Sequence, residues 1–155
     1  VLGGSVSSRL FQEVQEKQNL AYSIYSFLSS YSDNDMITMY TATKPKEVDR
    51  VVDLVCREIR QIGVTGVERN ELERIKAQMK GSLMLSLESS HSRMNKLAKD
   101  ELTYGRHTSL KNMLTHIDRV NMEQVFNVSR QYFGLDSLAI TGLGPLASRS
   151  LQAYK

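Results

Sequence analysis

Between Leu10 and Leu28 the spacing of apolar residues changes from that of a helix to that of a strand, and the change falls at Asn19. Leu10, Phe11 and Val14 make one helical stripe, with Glu13, Gln15, Glu16 and Lys17 largely on the other side. Beyond Asn19, Tyr22, Ile24, Ser26 and Leu28 alternate with Ala21, Ser23, Tyr25 and Phe27, which places the two sets on opposite faces of a strand. Asn19 suits the left-handed cap that ends such a helix. Ahead of it, Gly3 and Gly4 permit backbone angles that other residues avoid, and Ser5, Ser7 or Ser8 can cap the helix start.

The remaining pattern is mostly helical. A polar turn over Tyr31–Asp35 leads into a second strand from Met36 to Thr41, which reads as a hairpin. Pro45 opens a helix whose Val48, Val51, Val52, Val55, Ile59 and Ile62 share one face, with Gly63 and Gly66 bracketing its end. Thr65 and Glu68 have the spacing of a capping box. The helix they open carries Leu72, Ile75, Met79 and Leu83. It runs into Leu83–Leu87, apolar nearly all round and so expected to be buried on more than one side, with Gly81 allowing close packing. Ser89–His91 mark a bend. Met94, Leu97, Ala98 and Leu102 form a short stripe closed by Gly105, and Leu110–Ile117 form another. Asn121, three before Gln124, opens a last helix with Met122, Val125, Phe126, Ser129 and Phe133 inward. Asp136–Leu143 reads as a final strand ended by Gly144-Pro145. Residues 146–155 carry no fold signal and are expected to be a disordered tail. Strands and helices are segregated, so the fold class is α+β: an antiparallel sheet with helices packed on one face.

Several function classes fall away. The +3 formal charge comes from interleaved acids and bases rather than a basic run, which argues against nucleic acid. No apolar run approaches the roughly 20 residues of a membrane span. The lone cysteine, Cys56, excludes an internal disulfide and reads as a buried structural thiol ahead of a reactive one. No serine lies in a G-x-S-x-G turn, and Gly3-Gly4-Ser5 lacks the lysine of a phosphate loop. No two of His91, His107 and His116 are three or four apart, so no helix face offers two imidazoles to one metal.

The segments SSRLFQEVQEKQNLAYSIYS and ELERIKAQMKGSLMLSLESSHSRMNKLAKDELTYGR resemble the second, non-metal-binding domain of insulinase/pitrilysin-type zinc peptidases, the family of the mitochondrial processing peptidases, and most closely its bacterial two-domain members. Such domains begin with a further strand–helix–strand before the glycine turn. The resemblance therefore implies that residues 1–145 are an incomplete domain whose open sheet edge is covered by another chain or a second copy. It also implies a noncatalytic half that closes over a metal-bearing half and helps hold a peptide for hydrolysis. Zinc would lie in that partner half, because the H-x-x-E-H helix is absent here. The rival is a catalytically inactive subunit or scaffold of the same family. Bacterial members of this shape are often cytoplasmic.

The resemblance also implies two positions facing the cleft. Active members supply an Arg and a Tyr, seven residues apart, from this domain. The Tyr position falls on Tyr22, whose phenol would donate to the scissile carbonyl or its oxyanion and so help bind substrate. Read without the resemblance, a strand tyrosine is more often half-buried packing. The Arg position falls on Gln15, which keeps a donor but loses the charge and the forked geometry. Arg9, a turn and a half earlier, is not an obvious substitute.

Overall fold

The computed structural model describes residues 1–31 and 33–146, so all but the first residue of the expected tail lies outside the described residues. The chain divides into two units, Val1–Gly66 with the chain from Phe126 onward, and Val67–Val125.

The first unit is built on an antiparallel hairpin of β1 (Ala21–Ser30) and β2 (Asp35–Thr43). A π-helix, Phe11–Glu16, and the long helix α1, Val48–Thr65, cover one face of it. Leu10, Val14, Ile24, Val51, Leu54 and Ile62 form the buried cluster between them. The predicted amphipathic stripe is therefore real, although the helix is wound as a π-helix, with Lys17 N–H donating to the Gln12 carbonyl. Asn19 adopts the expected left-handed conformation, at φ 49°. At the helix start the Ser8 hydroxyl donates to the Ser5 carbonyl, and the Ser8 carbonyl accepts from Gln12 N–H. On the uncovered face Tyr25 stacks on its cross-strand partner Tyr40 with ring centroids 5.0 Å apart.

Two glycine expectations change. Gly3 and Gly4 are not in the left-handed region. Gly3 is needed for proximity instead: a Cβ there would lie 2.7 Å from Ser26 N and 3.0 Å from Tyr25 C, while Ser26 N–H donates to the Gly3 carbonyl at 2.8 Å. At the far end of α1 the capping box does not form. The Thr65 hydroxyl turns back to the Gln61 carbonyl, α1 runs through Gly63, and the break comes at Gly66, φ 71°. The helix owns Thr65 because the break needs the one residue that tolerates this backbone.

The rest of α5 (Met122–Tyr132) and a short 3-10 turn, Leu135–Ser137, complete this unit. The expected strand over Asp136–Leu143 is not formed. Leu138 is extended, but a strand exists only by pairing, and the sheet of the described residues contains β1 and β2 alone. Helices over one face of an antiparallel sheet make the fold α+β.

The second unit holds α2 (Arg69–Ser86), α3 (Ser90–Tyr104), α4 (Leu110–Arg119) and the start of α5. Ser89 and Ser109 cap α3 and α4 by accepting from Ser92 and Asn112 N–H. Asn121 and Gln124 form the predicted reciprocal capping box at 2.9 and 3.0 Å, and Gly105 ends α3 at φ 60°. Lys80 pairs with Asp118 at 2.7 Å, tying α2 to α4. Asp100 accepts from Lys96 and from Thr108 N–H, and those bonds hold its carboxyl below the ordinary range. The Leu83–Leu87 stretch is not enclosed within this unit: Met84 and Leu85 are exposed, as are Met94, Leu97 and Leu102 on α3. Gly81 has nothing within 4 Å of a built Cβ, so it serves no close packing here. Among the described residues no helix is long and apolar enough to cross a membrane.

The Gly3 contact is directly testable. Gly3→Ala should destabilise the chain by about 1–3 kcal/mol, because backbone atoms of β1 cannot yield as a side chain would. Gly4→Ala, with open space around its Cβ, should leave the thermal midpoint nearly unchanged. Equal melting of the two variants would contradict this packing.

Candidate functional site

Tyr22 lies where the ladder between β1 and β2 loses register. Ala21 pairs with Thr43, yet Ser23 pairs with Ala42, so Tyr22 is the extra residue of a β-bulge. The alternation read from sequence put Tyr22 and Ile24 on one face. The bulge separates them: Ala21 and Ile24 are each only 6% exposed against the helices, whereas Tyr22 is 70% exposed. Without the extra residue, positions three apart could not both reach the core.

The entry to the bulge is held on both sides of Leu20. Leu20 N–H donates to the Val14 carbonyl at 2.9 Å, and the Thr43 hydroxyl donates to the Leu20 carbonyl. Leu20 itself is buried. Neither Thr43 nor the bulge was visible in the sequence, since the apolar pattern counts residues along one strand and a bulge is a mismatch between two. The signal that was available is the pair of core-type residues Ala21 and Ile24, whose spacing breaks strict alternation.

Gln15 is half-buried on the π-helix, which packs against β1. Its carbonyl accepts from Asn19 N–H at 2.9 Å, and neither its amide nor the Tyr22 phenol makes a side-chain hydrogen bond among the described residues. The Arg9 guanidinium donates to the Gly66 carbonyl at 3.1 Å. Glu13 pairs with Lys17 one turn along the same exposed face. Behind that face Glu58 is buried on α1. Burial pushes its carboxyl above the ordinary range, the neighbouring Glu13 pushes it further, and Arg9, Arg57 and Lys17 partly offset both. Cys56 is buried on the same helix and its thiol is raised by that burial, so the structural reading holds.

The histidines are scattered over the second unit. His91 bonds Asn95 at 3.0 Å, His107 lies 3.6 Å from Glu101, and His116 is in the last turn of α4. Among the described residues no group of three or more His, Cys, Asp or Glu side chains could hold a metal ion.

Residues 1–79, about half of the chain and including both Gln15 and Tyr22, match the family model described as the peptidase M16 inactive domain. The chain belongs to the peptidase M16 family, as its inactive domain. An uncharacterized zinc protease of Bacillus subtilis is 44% identical to it over 88% of this chain and 33% of its own length. Among solved structures, a conserved protein of Enterococcus faecalis is similar at 26% identity and TM-score 0.70, over 83% of this chain and 30% of that one. A peptidase M16 inactive domain from Pseudomonas fluorescens shares the fold, with TM-score 0.75 at 22% identity over 88% of this chain and 32% of that one. This M16 chain thus spans about a third of the length of the relatives it matches.

The buried acid gives a pH test of the environment behind the π-helix. A carboxyl raised in the folded state stabilises that state below the unfolded carboxylate range, near pH 4, and loses the contribution as pH rises through its folded value. Glu58→Gln should therefore raise the thermal midpoint at pH 7, with the gain shrinking toward pH 4. A gain that is equal at both values, or absent at pH 7, would contradict this environment.

Proposed function

We propose that this M16 domain is the noncatalytic half of a zinc metalloendopeptidase, closing over a metal-bearing half and presenting Tyr22 to a bound peptide. The observation that carries the reading is the β-bulge, which turns Tyr22 out of the core while the rest of the strand stays anchored. Bulges beside active sites commonly re-aim a side chain in this way. An exposed phenol on a fixed backbone can donate to an oxyanion without reorganisation when charge develops there.

In this reading the zinc belongs to the metal-bearing half, and this chain holds and orients the peptide. Residues 1–145 would be the domain proper. The exposed apolar residues of α2 and α3 are the kind of surface that the remaining length of such a protein, or a second copy, would cover. A cytoplasmic setting, in which Cys56 stays a free thiol, belongs to the same reading.

A second reading, an inactive subunit of the family, is favoured by Gln15. A neutral amide stands where the resemblance places the charged fork of active members.

One substitution separates the two. In the assembled enzyme Tyr22→Phe should lower kcat by about 10²–10³-fold, the scale of one oxyanion donor. Stability should change by no more than about 0.5 kcal/mol, because the phenol is exposed. Unchanged peptide turnover would remove Tyr22 from the mechanism and leave the subunit reading.

A further inference from the structure

We infer that Thr43 is a positioning residue for Tyr22. This rests on the reading of Tyr22 given above. A bulge leaves backbone groups of the longer strand without ladder partners. Leu20, buried just before β1 and two residues ahead of the bulged Tyr22, has its carbonyl outside the β1–β2 ladder. An orphaned buried carbonyl is costly, and the usual relief is a side-chain donor. The Thr43 hydroxyl supplies that donor from the opposite strand, at the last ladder pair before the register shift.

The result is a pin on each side of Tyr22. On the near side, Leu20 is held through its N–H by Val14 and through its carbonyl by Thr43. On the far side, Ser23 pairs with Ala42 and Ile24 is locked in the core. Among the described residues Tyr22 is fixed by neither burial nor a side-chain hydrogen bond, so its direction is set by these flanking constraints. Without the hydroxyl, Leu20 and Ala21 can move toward a regular ladder. That movement would carry the phenol away from its place, while the hairpin and its core survive.

Thr43→Val keeps the branched shape and removes the donor; Thr43→Ser keeps the donor and removes a methyl group. In the assembled enzyme Thr43→Val should lower kcat by about tenfold or more with KM changed less than about twofold, as for an interaction used in the transition state. Thr43→Ser should retain most of the wild-type kcat. In a Tyr22→Phe background Thr43→Val should add no further loss, since the two act through one phenol. Amide exchange in the 155-residue chain gives a readout independent of catalysis, and Thr43→Val should speed exchange at Tyr22 and Ser23 but not at Ile62.

Wild-type kcat in Thr43→Val, a loss as large in the Tyr22→Phe background as alone, or a variant that fails to fold would each overturn the inference. The last outcome would make the hydroxyl a requirement of the fold rather than of Tyr22. Should Tyr22→Phe itself turn over normally, the functional reading fails on its own result. The exchange measurement then still decides whether Thr43 holds the bulge.

Discussion

The first unit depends on a conflict between pairing and burial. Ala21 and Ile24 both belong against Leu10, Val14 and Val51, but a regular strand would put them on opposite faces. The extra residue at position 22 resolves it. Placing both side chains in the core removes apolar surface from water, at about 25 cal/mol per Å². Leaving one residue out of the ladder costs local hydrogen bonding, and beside the bulge the Thr43 hydroxyl holds the Leu20 carbonyl. The exposed Tyr22 is a consequence of that solution, and the functional proposal is a use of it.

The surrounding elements keep the arrangement in place. Left-handed Asn19 reverses the chain between the π-helix and β1, so that Leu20 N–H meets Val14 and the strand starts in register with the helix behind it. Gly3 lets the N-terminal segment approach the β1 backbone too closely for any side chain. Arg9 ties the start of the helical segment to the end of α1 at Gly66. Gln15 and Tyr22 are thus on neighbouring elements anchored to one core, although no side-chain hydrogen bond links them.

Much of this was legible in the sequence, and the failures share a cause. Local signals held: the Leu10–Val14 stripe, the left-handed Asn19, the Asn121–Gln124 box and the stop at Gly105 each depend on residues a few positions apart. What failed depended on partners. The Asp136–Leu143 strand had the composition of a strand but no neighbour among the described residues to pair with. The Thr65–Glu68 box lost to a break that only Gly66 can make. Leu83–Leu87 asked for burial without saying against what, and its own unit does not bury it. For the candidate site, the family resemblance pointed to Tyr22 and Gln15, but the direction of Tyr22 required the cross-strand register. Thr43 had no signal of its own, since a threonine in a strand is commonplace.

The central claim is that this chain completes a site whose metal lies elsewhere. The most direct test is reconstitution from separately purified parts, using a quenched-fluorescent peptide with zinc content measured on each part. The account predicts no stoichiometric zinc and no cleavage from this chain alone, little cleavage from the metal-bearing half alone, and turnover when the two are mixed. Stoichiometric zinc on this chain, or a metal-bearing half that cleaves equally well without it, would contradict the account.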